Sequence, residues 1–312
     1  MTESHSSASG VAAALGAFGL WGFLPLYFHL IGPSVSPWEI LVQRVIWAAV
    51  LLALFITAIG GWVRVSAAAA QPRTRWALLA SSVLIGINWG TFIWAVTSGH
   101  VLQSSLGYYI NPLLNVFLGF VFLGERLRPL QMLAVVIAAA GVLVMIVAFG
   151  EVPWIALLLA GCFGCYGLIR KQLAVDSGTG LFAETVVLLP VALGWLGWMY
   201  VDGWATLFQG SPVRDVLLIG AGAATVVPLV LFAAAARRLR LGTVGLFQYM
   251  TPTMHLITGV FIFGEPFTTA DAVTFACIWT GLALYTTDTW LAQRRRTVAS
   301  TAAAQPRTAS SR

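Results

Sequence analysis

The chain has 312 residues, of which 59% are hydrophobic and 9% charged, and its mean hydropathy is +0.88. That balance inverts the one a soluble globular domain needs, so most of the surface must face lipid. The formal charge of +6 does not point to nucleic acid, because the basic residues stand singly or in small groups between apolar stretches and form no stripe.

Met1 to Gly10 contains Glu3 and no Lys or Arg. The apolar run that follows is too long for the core of a cleaved signal, so the first block reads as a retained anchor. Ten blocks of about twenty apolar residues follow one another, at 11–31, 37–58, 74–97, 102–123, 130–148, 152–170, 181–201, 213–236, 243–263 and 270–290. Each is long enough to cross a hydrocarbon layer roughly 30 Å thick. Barrel strands would instead alternate in segments of about ten residues. Residues 1–10 and the Ala, Ser, Thr and Arg tail at 291–312 lack an apolar face, and the expectation for both is disorder.

With the N-terminus inside, every Lys and Arg except Arg44 and Arg214 falls in an inside loop or the tail. Such a positive-inside bias predicts cytoplasmic location for both termini of an inner-membrane protein.

Sliding the chain by 140 residues brings Leu106, Tyr109, Pro112, Gly119, Gly124 and Glu125 onto Leu246, Tyr249, Pro252, Gly259, Gly264 and Glu265. The same offset pairs Leu78, Phe92 and Ala95 with Leu218, Phe232 and Ala235, while Gly16, Gly19 and Gly22 match Gly161, Gly164 and Gly167 at a slightly different one. The chain therefore divides into a first repeat at 11–148 and a second at 152–290. A repeat with an odd number of spans inserts its second copy upside down, the design that lets two halves exchange conformations in alternating access. The expected fold is all-α and polytopic, with ten transmembrane helices in two inverted five-helix halves.

Several residues carry possible chemistry. The glycine stripes are chiefly places where another backbone comes close. Pro112 and Pro252 break the fourth and ninth spans and free carbonyls there. Around them stand Tyr108, Tyr109, Asn111 and Asn115 on one span and Gln248, Tyr249, Thr251 and His255 on the other. These side chains avoid lipid, and they either satisfy the broken backbone or line a substrate cavity. Trp21, Tyr27, Asn88, Trp89 and Trp94 on spans one and three, and Tyr166 on span six, are further cavity candidates, against the commoner use of aromatic residues as interfacial belts.

Arg44 lies about two turns inside its span, and at the 140-residue offset it coincides with Glu184. An intramembrane charge is paired or functional. The two form a substrate clamp, an interhelix ion pair, or side chains snorkelling to opposite faces. Glu125 and Glu265 each follow a Gly at a span end, where the Gly suits a left-handed cap and the Glu can accept from amides opening the next helix. They read as repeated structural corners. Cys162, Cys165 and Cys277 fit small-residue packing, since no second pair or nearby His suggests a metal. No Walker loop, dinucleotide fingerprint, HExxH motif or nucleophile elbow occurs, so no catalytic residue, cofactor or metal is assigned.

The sequence resembles the RarD branch of the EamA-type drug/metabolite transporters across roughly residues 11–290. The likeness rests on Trp21-Gly22-Phe23-Leu24-Pro25-Leu26-Tyr27, Glu39 to Arg44, Asn88-Trp89, Gly107 to Leu113, Gly124 to Leu127, Gly167 to Lys171, Ala235 to Leu239 and Phe263 to Phe267. That resemblance implies two EamA repeats around a central cavity and movement of small organic solutes across the inner membrane. Gln43 stands where the branch often has His, and His29 lies near a position often held by Lys, so no proton-coupling role carries over to them. The implied partners are a small-molecule substrate and the lipid bilayer. A non-transporting scaffold or regulatory protein on the same fold is the competing reading. Oligomeric state, monomer or homodimer, is open.

Overall fold

The structure is a computed structural model that describes residues 2–123, 128–149, 152–238 and 247–304. All regular structure among these residues is helical: α1 (Thr2–Gly22), α2 (Leu24–Ile31), α3 (Pro37–Ala58), α4 (Trp62–Ala70), α5 (Pro72–Thr97), α6 (Val101–Leu123), α7 (Pro129–Phe149), α8 (Trp154–Gln172), α9 (Ser177–Val201), α10 (Pro212–Arg238), α11 (Met250–Ile257), a π-helical turn at Thr258–Ile262, and α12 (Thr269–Ala304). Lipid gives backbone amides no water to bond, so helices, which satisfy themselves, are the natural response of these apolar blocks.

Proline punctuates the starts. Pro37, Pro72, Pro129 and Pro212 are each the first residue of a helix, where a missing amide costs nothing. Ser36 caps α3 by accepting from the Trp38 amide at 3.3 Å, and Asp176 caps α9 by accepting from the Thr179 amide at 3.0 Å. Although burial pushes the Asp176 carboxyl up, its bonds from Thr179, with Arg64 and Gly178 adding to them, hold it below the usual carboxylate range.

Among the described residues, six helices are long and apolar enough to cross a membrane: Pro37–Ala58, Pro72–Thr97, Pro129–Ala148, Trp154–Gln172, Ser177–Val201 and Pro212–Phe232. Ser9–Gly22 and Leu24–Ile31, bent by 42° at Phe23, make a seventh if they form one broken span. The expected blocks at 102–123, 243–263 and 270–290 correspond to α6, to the shorter apolar stretch Met250–Ile262 and to α12. The chain ends differ from expectation, for α1 begins at Thr2 and α12 continues to Ala304. Both extensions are free of Pro, and the Ala, Arg and Gln of the second are good helix formers that continue a helix already nucleated in the bundle.

Packing is closest where glycines meet backbone. A Cβ on Gly141 would lie 2.7 Å from Cys277 Cβ and 3.1 Å from the Thr274 carbonyl, and one on Gly281 would lie 2.6 Å from the Ala134 carbonyl. Thr274 and Ala134 are themselves 140 positions apart, as are the two glycines. The α7–α12 crossing is thus built twice from the same register. The caps repeat likewise: Gln131 accepts from the Arg128 amide at 3.1 Å, and Asp271 from the Thr268 amide at 2.8 Å. In the glycine stripes, Gly22 faces Met254 and Gly164 faces Leu114 and Leu118, while nothing lies over Gly161.

Gly222 is the tightest contact of α10 with α3, where a Cβ would sit 2.5 Å from the Trp47 carbonyl carbon. Gly222→Ala and Gly281→Ala are therefore expected to lower the melting temperature in detergent, each by an overpacking cost of about 1–3 kcal/mol. Gly194→Ala, with nothing within 4 Å, is expected to leave it unchanged.

Candidate functional site

Arg44 sits mid-way along α3 and is 5% exposed. Its Nε donates to Thr225 Oγ1 of α10 at 2.7 Å, and its guanidinium carbon lies 4.4 Å from the centre of the Trp89 ring of α5. Nη1 is buried without a hydrogen-bond partner among the described residues. Trp89 supplies a cation–π contact, which offsets part of the desolvation of the charge but gives Nη1 no acceptor. Gln43 beside it turns its Oε1 to the Trp47 indole at 3.0 Å and leaves Nε2 unpaired.

One turn along α5 from Trp89, Phe92 stacks on His255 of α11 at 5.3 Å and meets Tyr108 of α6 edge-on at 5.5 Å. Tyr108 also meets His255 at 5.5 Å, and Trp89 and Phe92, one turn apart on α5, join the arginine to these rings. His255 is 1% exposed, and its Nε2 is 3.1 Å from the Trp21 carbonyl. A carbonyl only accepts, so Nε2 carries the hydrogen, and Nδ1 has no partner. Asn111, one turn beyond Tyr108, is wholly buried with neither amide atom paired among the described residues.

Buried polar groups are normally satisfied, and each exception needs a reason. Among the described residues such exceptions occur at Gln43, His100, Gln103, Arg170 and Arg214 as well as at Arg44, Asn111 and His255, and the last three stand on α3, α6 and α11, with α1, α5 and α10 supplying walls and partners. Phe92 and Thr225 were not singled out from the sequence. Phe92 stood out only as a repeat match, and a threonine in an apolar span carries no signal until its neighbour is known.

Glu184 belongs to a different constellation: it does not meet Arg44, its interhelix ion pair is with Arg170 of α8, and neither side chain snorkels, since Arg44 is 5% exposed and Glu184 wholly buried. Ser81 of α5 donates to Glu184 Oε1 at 2.7 Å, Tyr166 of α8 donates to Oε2 at 3.2 Å, and Arg170 Nε approaches Oε1 at 3.7 Å. Arg170 fills the space over Gly180. Tyr166 is therefore a member of this network and is not in the Arg44 group.

Other candidates are placed as follows. Tyr27 donates to the Leu217 carbonyl, and its ring packs on Phe28, which in turn meets Phe92. Asn88 donates to the Leu159 carbonyl at 3.0 Å and ties α5 to α8. Trp94 stacks on His100 and packs against Trp154 near the end of α5, away from the Arg44 contacts. Tyr109 is held by Thr253 at 2.5 Å and by the rings of Phe275 and Trp279, a packing role shared with the partly buried Tyr249. Gln248 is partly buried next to the turn at Tyr249 that precedes α11, and Pro252 follows that break. Ser105 donates to the Pro252 carbonyl at 2.8 Å. Glu125 and the side chains of Pro112 and Asn115 lie outside the described residues, although α6 runs on through position 112.

Glu265 is a corner, as expected, with Gly264 at φ +68. Its acceptor role differs from expectation: it takes the Val101 amide at 2.6 Å and the Leu102 amide at 2.7 Å, which open α6 and not the next helix. Burial pushes its carboxyl above the usual carboxylate range, and the amides of Leu102 and Val101 pull against that shift. Glu39, unremarked in the sequence, is a second such carboxylate, wholly buried and accepting from the Thr206 and Leu207 amides at 2.8 and 3.0 Å. A groove of about 480 Å³ opens between α3, α5 and α9, lined by apolar residues including Trp38, Leu41, Ile87, Leu188 and Trp195. None of the sequence candidates lines it.

This is a multi-pass helical membrane protein with unsatisfied polar groups buried where six of its helices meet. The model of the EamA-like transporter family matches residues 8–147. Protein RarD of Escherichia coli is 44% identical over 94% of this chain and 99% of its own, and Protein RarD of Streptomyces exfoliatus is 37% identical over 95% and 93%. A Vibrio cholerae protein named an uncharacterized transporter is 44% identical over 92% of this chain and 94% of its own. A solved structure with 18% sequence identity superposes with a TM-score of 0.59 over 89% of this chain and 97% of that one, a likeness of fold. The chain belongs to the EamA-like transporter family, among its RarD-named members.

Three substitutions test the structural roles. Glu184→Ala removes the acceptor of Ser81, Tyr166 and Arg170 at a buried site and is expected to cost about 2–4 kcal/mol of stability in a denaturation assay. Arg64→Ala breaks an exposed pair with Asp176 at 3.9 Å and is expected to cost less than about 1 kcal/mol. Glu265→Ala uncaps α6 and is expected to destabilise by about 1–3 kcal/mol, with faster amide exchange at Val101 and Leu102.

Proposed function

We propose that this chain is a secondary transporter that carries a small organic solute across the bacterial inner membrane by alternating access. The observation that carries this reading is the grouping of Arg44, Asn111 and His255, buried and incompletely bonded, on three helices of a protein from a transporter family. Unpaired polar groups at such a place cost several kcal/mol in hydrocarbon unless something else bonds them, and a passing solute does so.

The proposed frame is ten spans in two inverted halves with both termini in the cytoplasm. Its support is the 140-residue register, which recurs in the α7–α12 glycine crossing and in the Gln131 and Asp271 caps. Helix contacts also come in matched pairs under that exchange. The α1–α10 contact answers to α8–α5, α6–α8 to α11–α1, and α3–α10 to α9–α5. The bend at Phe23, the turn at Tyr249 and the π-helical turn at Thr258–Ile262 interrupt otherwise regular helices, and such interruptions serve as hinges. The Lys and Arg distribution supports the orientation. The partners in this reading are the bilayer and the solute, with no nucleic acid, and the activity is transport without catalysis.

Reconstitution in liposomes tests the reading. A screen of metabolites and amphipathic drugs is expected to find a solute whose flux falls by about tenfold or more in Asn111→Ala, the loss of one or two well-made hydrogen bonds. A folded wild-type protein that neither binds nor moves any member would return the scaffold reading.

A further inference from the structure

From the charge balance of the Arg44 group, we propose that the solute is an organic monoanion, an aryl carboxylate whose ring carries a hydrogen-bond donor. The inference rests on the transport reading above and names the cargo class for the same site.

Arg44 is the only cation in the group, and no carboxylate pairs with it among the described residues. The buried carboxylates are committed elsewhere: Glu39 to the Thr206 and Leu207 amides, Glu184 to Ser81 and Tyr166, Asp271 to Thr268. A guanidinium stays protonated under any ordinary condition, so the site carries an uncompensated positive charge in a low-dielectric setting. A carboxylate neutralises that charge and gives Nη1 the acceptor it lacks, through a charge-assisted hydrogen bond. A cationic solute would add like charge. A zwitterion would bring an ammonium group for which the group offers no anion.

The walls define the rest of the molecule. Trp89 lies under the guanidinium, and Phe92, Tyr108 and His255 form a mutually packed set of rings beside it. An aromatic solute bound to Arg44 would add to this ring set by offset or edge-on contacts. With Nε2 of His255 donating to the Trp21 carbonyl, Nδ1 is left as an unpaired acceptor, and Asn111 offers both a donor and an acceptor. A hydroxyl on the ring of the solute has partners there.

The test compares para-hydroxybenzoate with para-hydroxybenzamide, benzoate, tyramine and tyrosine on the purified full-length protein, at about pH 8, where the acids are ionised. Thermal stabilisation and flux in proteoliposomes, corrected for protein-free vesicles, are the readouts. The expected result is half-saturation by para-hydroxybenzoate at a concentration at least about tenfold below that of its amide, the ratio one charge-assisted bond supports. Benzoate is expected to fall between them, and tyramine and tyrosine to bind more weakly than the acid. Arg44→Lys is expected to keep the preference for the acid and Arg44→Gln to abolish it. Should Arg44→Gln fail to fold, the wild-type comparison of acid with amide decides alone. Equal stabilisation by acid and amide, or tighter binding of tyramine or tyrosine, overturns the proposal. If the panel gives nothing while another solute shows Asn111-dependent flux, the anion class falls and transport stands. If no solute moves, both fall.

Discussion

Every polar group placed in hydrocarbon must find its partner inside the protein, and most of this structure follows from that constraint. Helices satisfy their own middles and leave their ends open, so the ends need acceptors brought from elsewhere. Glu265 reaches the first amides of α6, Glu39 reaches the amides that precede α10, and Asp271 and Gln131 close the first turns of α12 and α7. Glu39, Asp271 and Gln131 are buried, and Glu265 partly so, because the open helix ends they serve are. Glycine does the complementary work at mid-helix, where Gly107, Gly222 and Gly281 let one backbone lie against another so that dispersion replaces the missing hydrophobic drive between helices. Against these satisfied helix ends, the open atoms of Arg44, Asn111 and His255 stand apart.

The sequence made the local half of this legible. Apolar length located the helices, and the prolines at 37, 72, 129 and 212 marked where four of them begin. The prolines at 112 and 252 marked the polar side chains beside them, Tyr108, Asn111 and His255 among them. The tertiary half was not readable. Glu184 coincides with Arg44 in the register, yet its partners Ser81 and Tyr166 come from two other helices, and nothing in the spacing of residues 81, 166 and 184 marks them as neighbours. Glu265 was expected to serve the helix that follows it, because a cap is normally a local matter. In this fold the helix end beside it belongs to a segment 163 residues away.

On the proposed two-repeat frame, the two charged positions at one register have diverged. Arg44 bonds across to α10, the eighth expected span, and Glu184 bonds across to α5, the third, so the geometry of the exchange survives in the choice of helix. Their energetic solutions differ. Glu184 collects two hydroxyl donors and a nearby guanidinium, a set that holds a carboxylate in place without help from outside. Arg44 collects one hydroxyl and an aromatic face and keeps a donor in reserve. The Glu184 network leaves an open nitrogen too, at Arg170 Nη1, but there the cation faces a carboxylate, whereas Arg44 faces none among the described residues, which is the argument for giving Arg44 the solute.

Under the proposed alternation, the backbone carries an asymmetry of the same kind. The first repeat runs α6 unbroken through Pro112, whereas the second interrupts the equivalent stretch at Tyr249, before Pro252, and again in the π-helical turn from Thr258. Two copies with one ancestral pattern that stand in different local conformations are what an inverted pair presents when held in a single state of its cycle. The opposite state would straighten the second copy and bend the first, and the prolines, present in both, keep the cost of that exchange low because neither helix ever had a full hydrogen-bond ladder to break. His255 and Tyr108 lie on these two stretches and touch each other. Any exchange of bend between the copies must therefore pass through the ring contacts that wall the Arg44 group, which couples the solute site to the motion that would carry the solute across.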